Sequence, residues 1–180
     1  LRVGTDRMDV MNSVVAIRVD SSEQIGSGHL MRCLTLAERL RKDGADVHFI
    51  SRDLAGSLHR LVEEHGFPLH LLPQHEENPN LTGYVAWLTV PQVVDAEETG
   101  EILSRMQPVN RLVVDSYALD AVWEQRLRPL VREIFVIDDL ANRPHDCDVL
   151  LDQNYYREMR HRYDGLVPPA CKLLLGPSHA

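Results

Sequence analysis

The stretch from Val14 to Leu40, "VVAIRVDSSEQIGSGHLMRCLTLAERL", decides the fold. It opens with a short, almost purely apolar run, which is typical of a strand buried on both faces. A polar loop follows and closes with Gly26-Ser27-Gly28. A helical apolar stripe then runs to Gly44, a residue type that commonly ends helices. This order predicts the first strand–loop–helix unit of an α/β sheet.

The same alternation of apolar runs and helical patterns continues along the chain. We therefore predict a doubly wound α/β fold, in which one parallel sheet carries helices on both faces. The predicted strands are 14–19, 47–50, 69–72, 111–114, 133–137, 148–151 and 172–175. The predicted helices are 30–40, 55–65, 91–106 and 119–131, and the segment 160–163 is predicted to be solvated helix.

Length and composition indicate one globular domain. The chain has 180 residues, of which 44% are hydrophobic and 26% charged, and this is enough to build one ordinary core. The net charge of −8 argues against general binding to nucleic acid or to an anionic membrane. No apolar run approaches the roughly 20 residues that span a bilayer. We predict a disordered leader at residues 1–12 and a domain over residues 13–180.

The three cysteines, Cys33, Cys147 and Cys171, are spaced too widely for a disulfide framework or a zinc site. We predict free thiols in a reducing cytoplasm. Acidic residues, His145 and Cys147 follow one another in the segment 138–148, but zinc spacing is absent and Arg143 is available to pair with the acids. We therefore predict neither a metal nor another cofactor.

The glycine loop before the first helix has three possible uses. Gly26 and Gly28 would let an anion approach the unpaired N–H groups of the helix N-terminus, or they would serve only to turn the chain. A nicotinamide or flavin site is disfavoured, because Met31 stands where the dinucleotide fingerprint has its third glycine. The loop is also longer than that fingerprint allows.

His29 lies on the first turn of the predicted helix. The helix dipole disfavours a charged imidazolium there, so a neutral ring suited to general-base catalysis is expected. The alternative is a surface histidine without function. Asp115 and Tyr117 follow the fourth strand, where they would face the first loop across the sheet. Asp115 would orient His29, bind a sugar hydroxyl or cap the next turn, and Tyr117 would donate a hydrogen bond or stack on a ring.

Four segments together resemble one family, the UDP-2,4-diacetamido-2,4,6-trideoxy-β-L-altropyranose hydrolases of pseudaminic acid biosynthesis. The segments are "RVDSSEQIGSGHLMRCLTLAERL" (18–40), "VVDSYALDAVWEQRLRP" (113–129), "VIDDLANRPHDCDVLLDQN" (136–154) and "RYDGLVPPACKLLLGPSHA" (162–180). The resemblance covers about residues 14–180 in order. It implies a Rossmann-like domain that is the N-terminal half of a glycosyltransferase-B-type, MurG-like architecture. It also implies that a C-terminal nucleotide-binding domain is absent from this chain.

The resemblance implies a role for individual residues. His29 matches the family's proposed base, Tyr117 lies near the sugar, and Asp20 lines the same cleft. Gly26, Ser27, Gly28 and Asp115 complete the expected substrate-binding set. Ser116 stands where the family often has histidine, and His179 where it usually has tyrosine.

The implied activity is cytoplasmic hydrolysis of a UDP-sugar. Water would attack the anomeric carbon with inversion, and the nucleoside diphosphate would leave. The alternatives are a glycosyltransferase of similar fold, in which an acceptor hydroxyl replaces water, and a sugar-binding fragment without activity. The expected partners are the small-molecule UDP-sugar and the second domain, with no nucleic acid and no membrane.

Overall fold

The computed structural model describes residues 13–106 and 108–179, so the predicted leader, residues 1–12, lies outside the described residues. All seven predicted strands are confirmed. They are β1 (Val14–Val19), β2 (Asp46–Arg52), β3 (Leu69–Leu72), β4 (Val109–Asp115), β5 (Val131–Ile137), β6 (Val149–Asp152) and β7 (Lys172–Leu175). The α-helices are α1 (Gly28–Lys42), α2 (His59–Glu64), α3 (Gln92–Met106) and α4 (Ala121–Leu127).

The strands form one parallel sheet in the order β3-β2-β1-β4-β5-β6-β7. Helices cover both faces, as predicted. On one face Leu34 of α1 and Val62 of α2 pack in a cluster with Phe49. On the other face Leu103 of α3 and Trp123 of α4 pack with sheet residues. In the described part of the chain, no helix is long and apolar enough to cross a membrane.

The sheet reverses its direction of growth between β1 and β4. The chain moves outward from β1 through β2 to β3 and then returns to place β4 on the other side of β1. Ligands in such sheets bind outside the carboxyl ends of the strands at this switch point. Val19 and Asp115, at the ends of these two strands, are paired in register. The fold therefore places the loop after β1 beside the loop after β4.

The second predicted helix is too long at its N-terminus. It was expected over 55–65, but α2 begins only at His59. The preceding residues form a turn, in which Ser57 N–H donates to the Leu54 carbonyl over 3.1 Å. Gly56 adopts φ +72° within this turn, a conformation that does not continue a right-handed helix.

The fourth predicted helix, 119–131, is too long at both ends. α4 begins after Asp120, whose carboxylate accepts a hydrogen bond from Val122 N–H over 2.8 Å, as an N-cap does. The residues 128–130 form a 3₁₀ turn that contains Pro129, and Val131 already belongs to β5. The prediction of a solvated helix at 160–163 is wrong, because only a 3₁₀ turn forms at Met159–His161. Tyr163 is buried, and its hydroxyl donates to the Asp138 carbonyl.

A buried cluster of ion pairs lies beneath the switch point. Arg18 pairs with Asp20, with Nη1 and Oδ1 2.5 Å apart. Asp95 of α3 accepts hydrogen bonds from Arg18 Nη2 over 2.8 Å and from Arg52 Nη2 over 2.7 Å. Burial raises the pKa of Asp95, but the charges and hydrogen bonds of the two arginines outweigh burial and lower it below its ordinary value.

Replacing Asp95 by asparagine is expected to destabilise the fold by about 3–5 kcal/mol, because two buried guanidinium groups lose their shared counter-charge. Urea unfolding at pH 7 measures the change. Glu101→Gln, an exposed position on the same helix, serves as the matched control and should leave the free energy of unfolding unchanged. Equal stabilities of the two variants would contradict this account of the cluster.

Candidate functional site

The loop between β1 and α1 is held by its own hydrogen bonds. Gly26 N–H donates to the Ser22 carbonyl over 2.9 Å, and the Ser22 hydroxyl accepts from the backbone of Gln24 and Ile25. Gly26 has φ +78°, where a side chain would be strained. The first glycine of the motif is therefore needed for the turn.

The second glycine begins the helix and leaves its backbone open. Apart from its chain neighbours and the backbone of α1, no atom lies within 4 Å of the position that a Cβ on Gly28 would take. In the part of the chain that the structure describes, the backbone N–H groups of Gly28, His29 and Leu30 donate no hydrogen bond to the preceding loop. Met31 is the first residue of α1 to donate, to the Ser27 carbonyl over 2.9 Å. The Ser27 side chain makes no capping hydrogen bond. Three donors thus remain at the positive end of a 15-residue helix.

His29 and Asp115 meet across the switch point. His29 Nδ1 lies 2.6 Å from Asp115 Oδ1, and both residues are buried. Because the ionised carboxylate only accepts hydrogen bonds, Nδ1 carries the proton and donates a hydrogen bond to Asp115. In the neutral ring the lone pair is then on Nε2. The expectation that Asp115 orients His29 agrees with this contact, whereas the cap of the next helix is Asp120.

Arg32 completes this pair and was not among the predicted site residues. It lies one turn after His29 on α1, and its Nε and Nη2 donate to the two carboxylate oxygens of Asp115, each over 2.5 Å. Nη2 also lies 3.1 Å from His29 Nδ1. Since both nitrogens bear protons that point at Asp115, this distance is a contact of two donors. The i, i+3 spacing of His29 and Arg32 was the available sequence signal.

The ionised state of Asp115 is favoured by its partners. Burial raises the pKa of this carboxyl group, but hydrogen bonds from Arg32 and His29, with their charges, outweigh burial and hold the pKa below its ordinary value. Arg32 also lies 3.6 Å from Asp139 through Nη1. The arginine therefore fixes the carboxylate that fixes the histidine.

Tyr117 packs between His29 and two further aromatic side chains, Tyr84 and Trp87. Its ring contacts His29 edge-on, with 4.5 Å between ring centroids, and its hydroxyl donates to Asp139 Oδ1 over 2.7 Å. Burial and this hydrogen bond raise the pKa of Tyr117. Tyr84 and Trp87, from the 3₁₀ segment Gly83–Leu88, pack on the same tyrosine. Apolar periodicity predicts no helix or strand in this segment, and these two residues were not predicted.

Asp20 shares a small pocket with His29. The pocket is lined by Asp20, Ile25, His29, Trp87, Asp115, Ser116 and Tyr117. The structure thus brings together four of the seven predicted site residues, while Gly26, Ser27 and Gly28 form the loop and helix start beside them. Asp20 Oδ1 accepts from Arg18 and from the Arg52 backbone, and Oδ2 is buried without a partner in the described residues.

A larger cleft of about 730 Å³ adjoins this pocket at Trp87. It is formed by the loops that follow β1, β2 and β3. Its charged lining is mainly acidic, with Glu23, Asp53 and Glu77. Such a surface offers many hydrogen-bond acceptors and disfavours a phosphate.

The segment 138–148 is occupied by internal ion pairs. Arg143 donates to Asp138 over 2.7 Å, as its position suggested, and His145 Nδ1 lies 2.7 Å from Glu124. Among residues 13–106 and 108–179, no three His, Cys, Asp or Glu side chains are grouped so that they could hold a metal ion. The three cysteines are free thiols, as predicted.

Comparison with known proteins identifies a similar curated protein and similar solved structures. The chain is 30% identical over 167 residues to the UDP-2,4-diacetamido-2,4,6-trideoxy-β-L-altropyranose hydrolase of Campylobacter jejuni. The match covers 92% of this chain, and the chain spans about half (50%) of that relative's length. The sequence matches no protein-family model.

The crystal structure of Acinetobacter baumannii MurG is similar in fold, with a TM-score of 0.56 over 90% of this chain and 44% of that chain. Sequence identity is 11%, so this likeness concerns the fold alone. The predicted Rossmann-like, MurG-like fold is confirmed.

The His29–Asp115 geometry predicts one tautomer of the histidine. In ¹H–¹⁵N spectra at a pH where the ring is neutral, His29 should carry its proton on Nδ1. The exposed His161 provides a control within the same spectrum. A ring protonated on Nε2 would contradict the assignment of Nε2 as the proton acceptor.

The lowered pKa of Asp115 predicts how stability depends on pH. Ionised Asp115 stabilises the fold above its unfolded pKa of about 3.9, and this contribution is lost as the pH falls through the lower folded value. Asp115→Asn should therefore be less stable than the wild type at pH 7, by about 3 kcal/mol.

The difference should shrink in urea unfolding experiments as the pH falls from about 5 toward 2. Asp164→Asn, at an exposed position, is the control. A difference that stays constant over this range would contradict the ion pairing of Asp115.

Proposed function

We propose that this chain belongs to the UDP-2,4-diacetamido-2,4,6-trideoxy-β-L-altropyranose hydrolases and carries the catalytic base of a nucleotide-sugar hydrolase. The observation that supports this most is the contact between His29 Nδ1 and Asp115. It leaves Nε2 as the basic atom in a pocket at the switch point, and the similarity to the C. jejuni relative supplies the substrate class.

The proposed reaction is a single displacement at the anomeric carbon. His29 Nε2 removes a proton from a water molecule, and the water oxygen bonds to the anomeric carbon with inversion. The bond from that carbon to the β-phosphate oxygen breaks, and its electron pair leaves with UDP. The products are the free sugar and UDP, and Asp115 stabilises the imidazolium that forms.

A nucleoside diphosphate leaves readily without a separate acid. The alcohol that leaves in glycosidase reactions is different, because its glycosidic oxygen has to be protonated. The N–H groups of Gly28, His29 and Leu30 offer hydrogen bonds to anionic oxygens at the start of α1. The acidic cleft beside Trp87 is suited to the sugar, whose hydroxyl and amide groups donate hydrogen bonds. Tyr117 packs edge-on against His29 and in this proposal limits how the sugar sits against the base.

The finer assignments belong to the same proposal. The substrate is UDP-2,4-diacetamido-2,4,6-trideoxy-β-L-altropyranose, the pathway is pseudaminic acid biosynthesis, and the location is the cytoplasm. Because the chain spans half of its relative, we propose that residues 13–180 act with a second, nucleotide-binding domain. That domain would hold the uridine part of the substrate.

Replacement of His29 by asparagine should abolish UDP release while the fold remains intact. Loss of a general base reduces rates by about 10²–10⁴-fold, measured as kcat of the full-length protein with the UDP-sugar. His161→Asn, at an exposed site, is the matched control and should keep wild-type activity. Activity of His29→Asn within twofold of the wild type would contradict the role of His29.

Two further measurements separate hydrolysis from its alternatives. In ¹⁸O-labelled water the label should appear in the sugar, and label in UDP would indicate attack at phosphorus instead. A glycosyltransferase would release UDP only when an acceptor alcohol is added, whereas a hydrolase needs water alone. A fragment that only binds sugar would release no UDP under either condition.

A further inference from the structure

We infer that Asp20 and His29 together form a binding site for one water molecule, the attacking nucleophile. We call this the water site, and Asp20 is the residue that holds the water there. This inference rests on the proposed hydrolysis and assigns Asp20 a role other than contact with the sugar. Three features of the described residues support it: an unpartnered carboxylate oxygen, the size of the pocket, and the tautomer of His29.

The carboxylate of Asp20 is fixed through one oxygen only. Oδ1 accepts from Arg18 Nη1 over 2.5 Å and from Arg52 N–H over 2.8 Å. Asp20 is 3% exposed, and Oδ2 has no hydrogen-bond partner among the described residues. A buried acceptor without a partner is unfavourable by about 1–3 kcal/mol, so this oxygen favours a ligand that donates a hydrogen bond.

The pocket that contains Asp20 and His29 is small. Its volume is about 10 Å³, which is close to what one water molecule needs. A sugar ring does not fit this space, but the adjoining cleft of about 730 Å³ accommodates one. The two adjoining spaces therefore offer distinct positions for the water nucleophile and for the sugar that it attacks.

The hydrogen-bonding groups of the pocket match a water that is about to lose a proton. Water donates one hydrogen to Asp20 Oδ2 and the other to His29 Nε2, which leaves an oxygen lone pair for attack. The proton toward His29 is transferred, while the hydrogen on Asp20 stays on the product hydroxyl. Asp20 thus orients the nucleophile without changing its own protonation, which makes it catalytic through contact with the reacting water.

The ion-pair cluster beneath the site holds Asp20 in this orientation. Asp95 binds Arg18 and Arg52, and both of these residues bind Asp20 Oδ1, one by its side chain and one by its backbone. Asp95 is therefore a positioning residue, which acts on Asp20 in the water site through Arg18 and Arg52. The expected orientation of Asp20 depends on residues that do not touch the substrate.

The test compares kcat and KM of the full-length protein after Asp20→Asn. A water-holding role predicts that kcat falls by about 100-fold while KM stays within twofold. A rise in KM at unchanged kcat would overturn the inference and would place Asp20 against the sugar. Asp164→Asn is the control, and thermal unfolding of both variants checks that they are folded.

A second measurement uses the wild type and does not depend on folding of a variant. In water with added methanol, the reaction should yield almost no methyl glycoside, because the water site is too small for methanol. Methyl glycoside formed in proportion to the methanol present would overturn the inference. Failure of the proposed function is seen separately, as no UDP release from the UDP-sugar. In that case a crystal structure still decides whether a water bridges Asp20 Oδ2 and His29 Nε2.

Discussion

The hydrogen bond between His29 and Asp115 is the interaction on which the site depends. It joins the first turn of α1 to the end of β4, across the point where the sheet reverses its growth. Arg32 clamps the same carboxylate through both oxygens. This arrangement engages Nδ1 and leaves Nε2 as the nitrogen with the free lone pair. The fold thereby fixes the tautomer of a histidine at a helix start, and we propose its Nε2 as the base.

Buried ion pairs beneath the site likewise hold the carboxylates of the pocket in place. Asp95 pairs with two buried arginines, and these arginines orient Asp20, while Arg32 orients Asp115. Each carboxylate that lines the pocket is thus held by a guanidinium that does not need to reach the substrate. The network ties α3, β1 and β2 to one geometry, so stability and the shape of the pocket are coupled.

Much of the fold could be predicted from the sequence, because strands buried on both faces give short apolar runs with little ambiguity. The helix ends could not, since Gly56, Asp120 and Pro129 act through local backbone geometry that periodicity does not register. In the site, His29, Asp115 and Tyr117 were predicted from their positions after strands, and Asp20 was predicted from the family resemblance. Arg32 was missed because an arginine on a helix usually faces solvent, and Trp87 because its segment has no regular pattern.

The measurement that tests the central claim most directly is the anomeric configuration of the first sugar product. Proton NMR can follow it during the reaction of the full-length protein with the UDP-sugar, before the anomers equilibrate. Direct attack by a water activated at His29 predicts a product inverted at the anomeric carbon. A product with retained configuration would require a covalent sugar–enzyme intermediate and would contradict this account of the site.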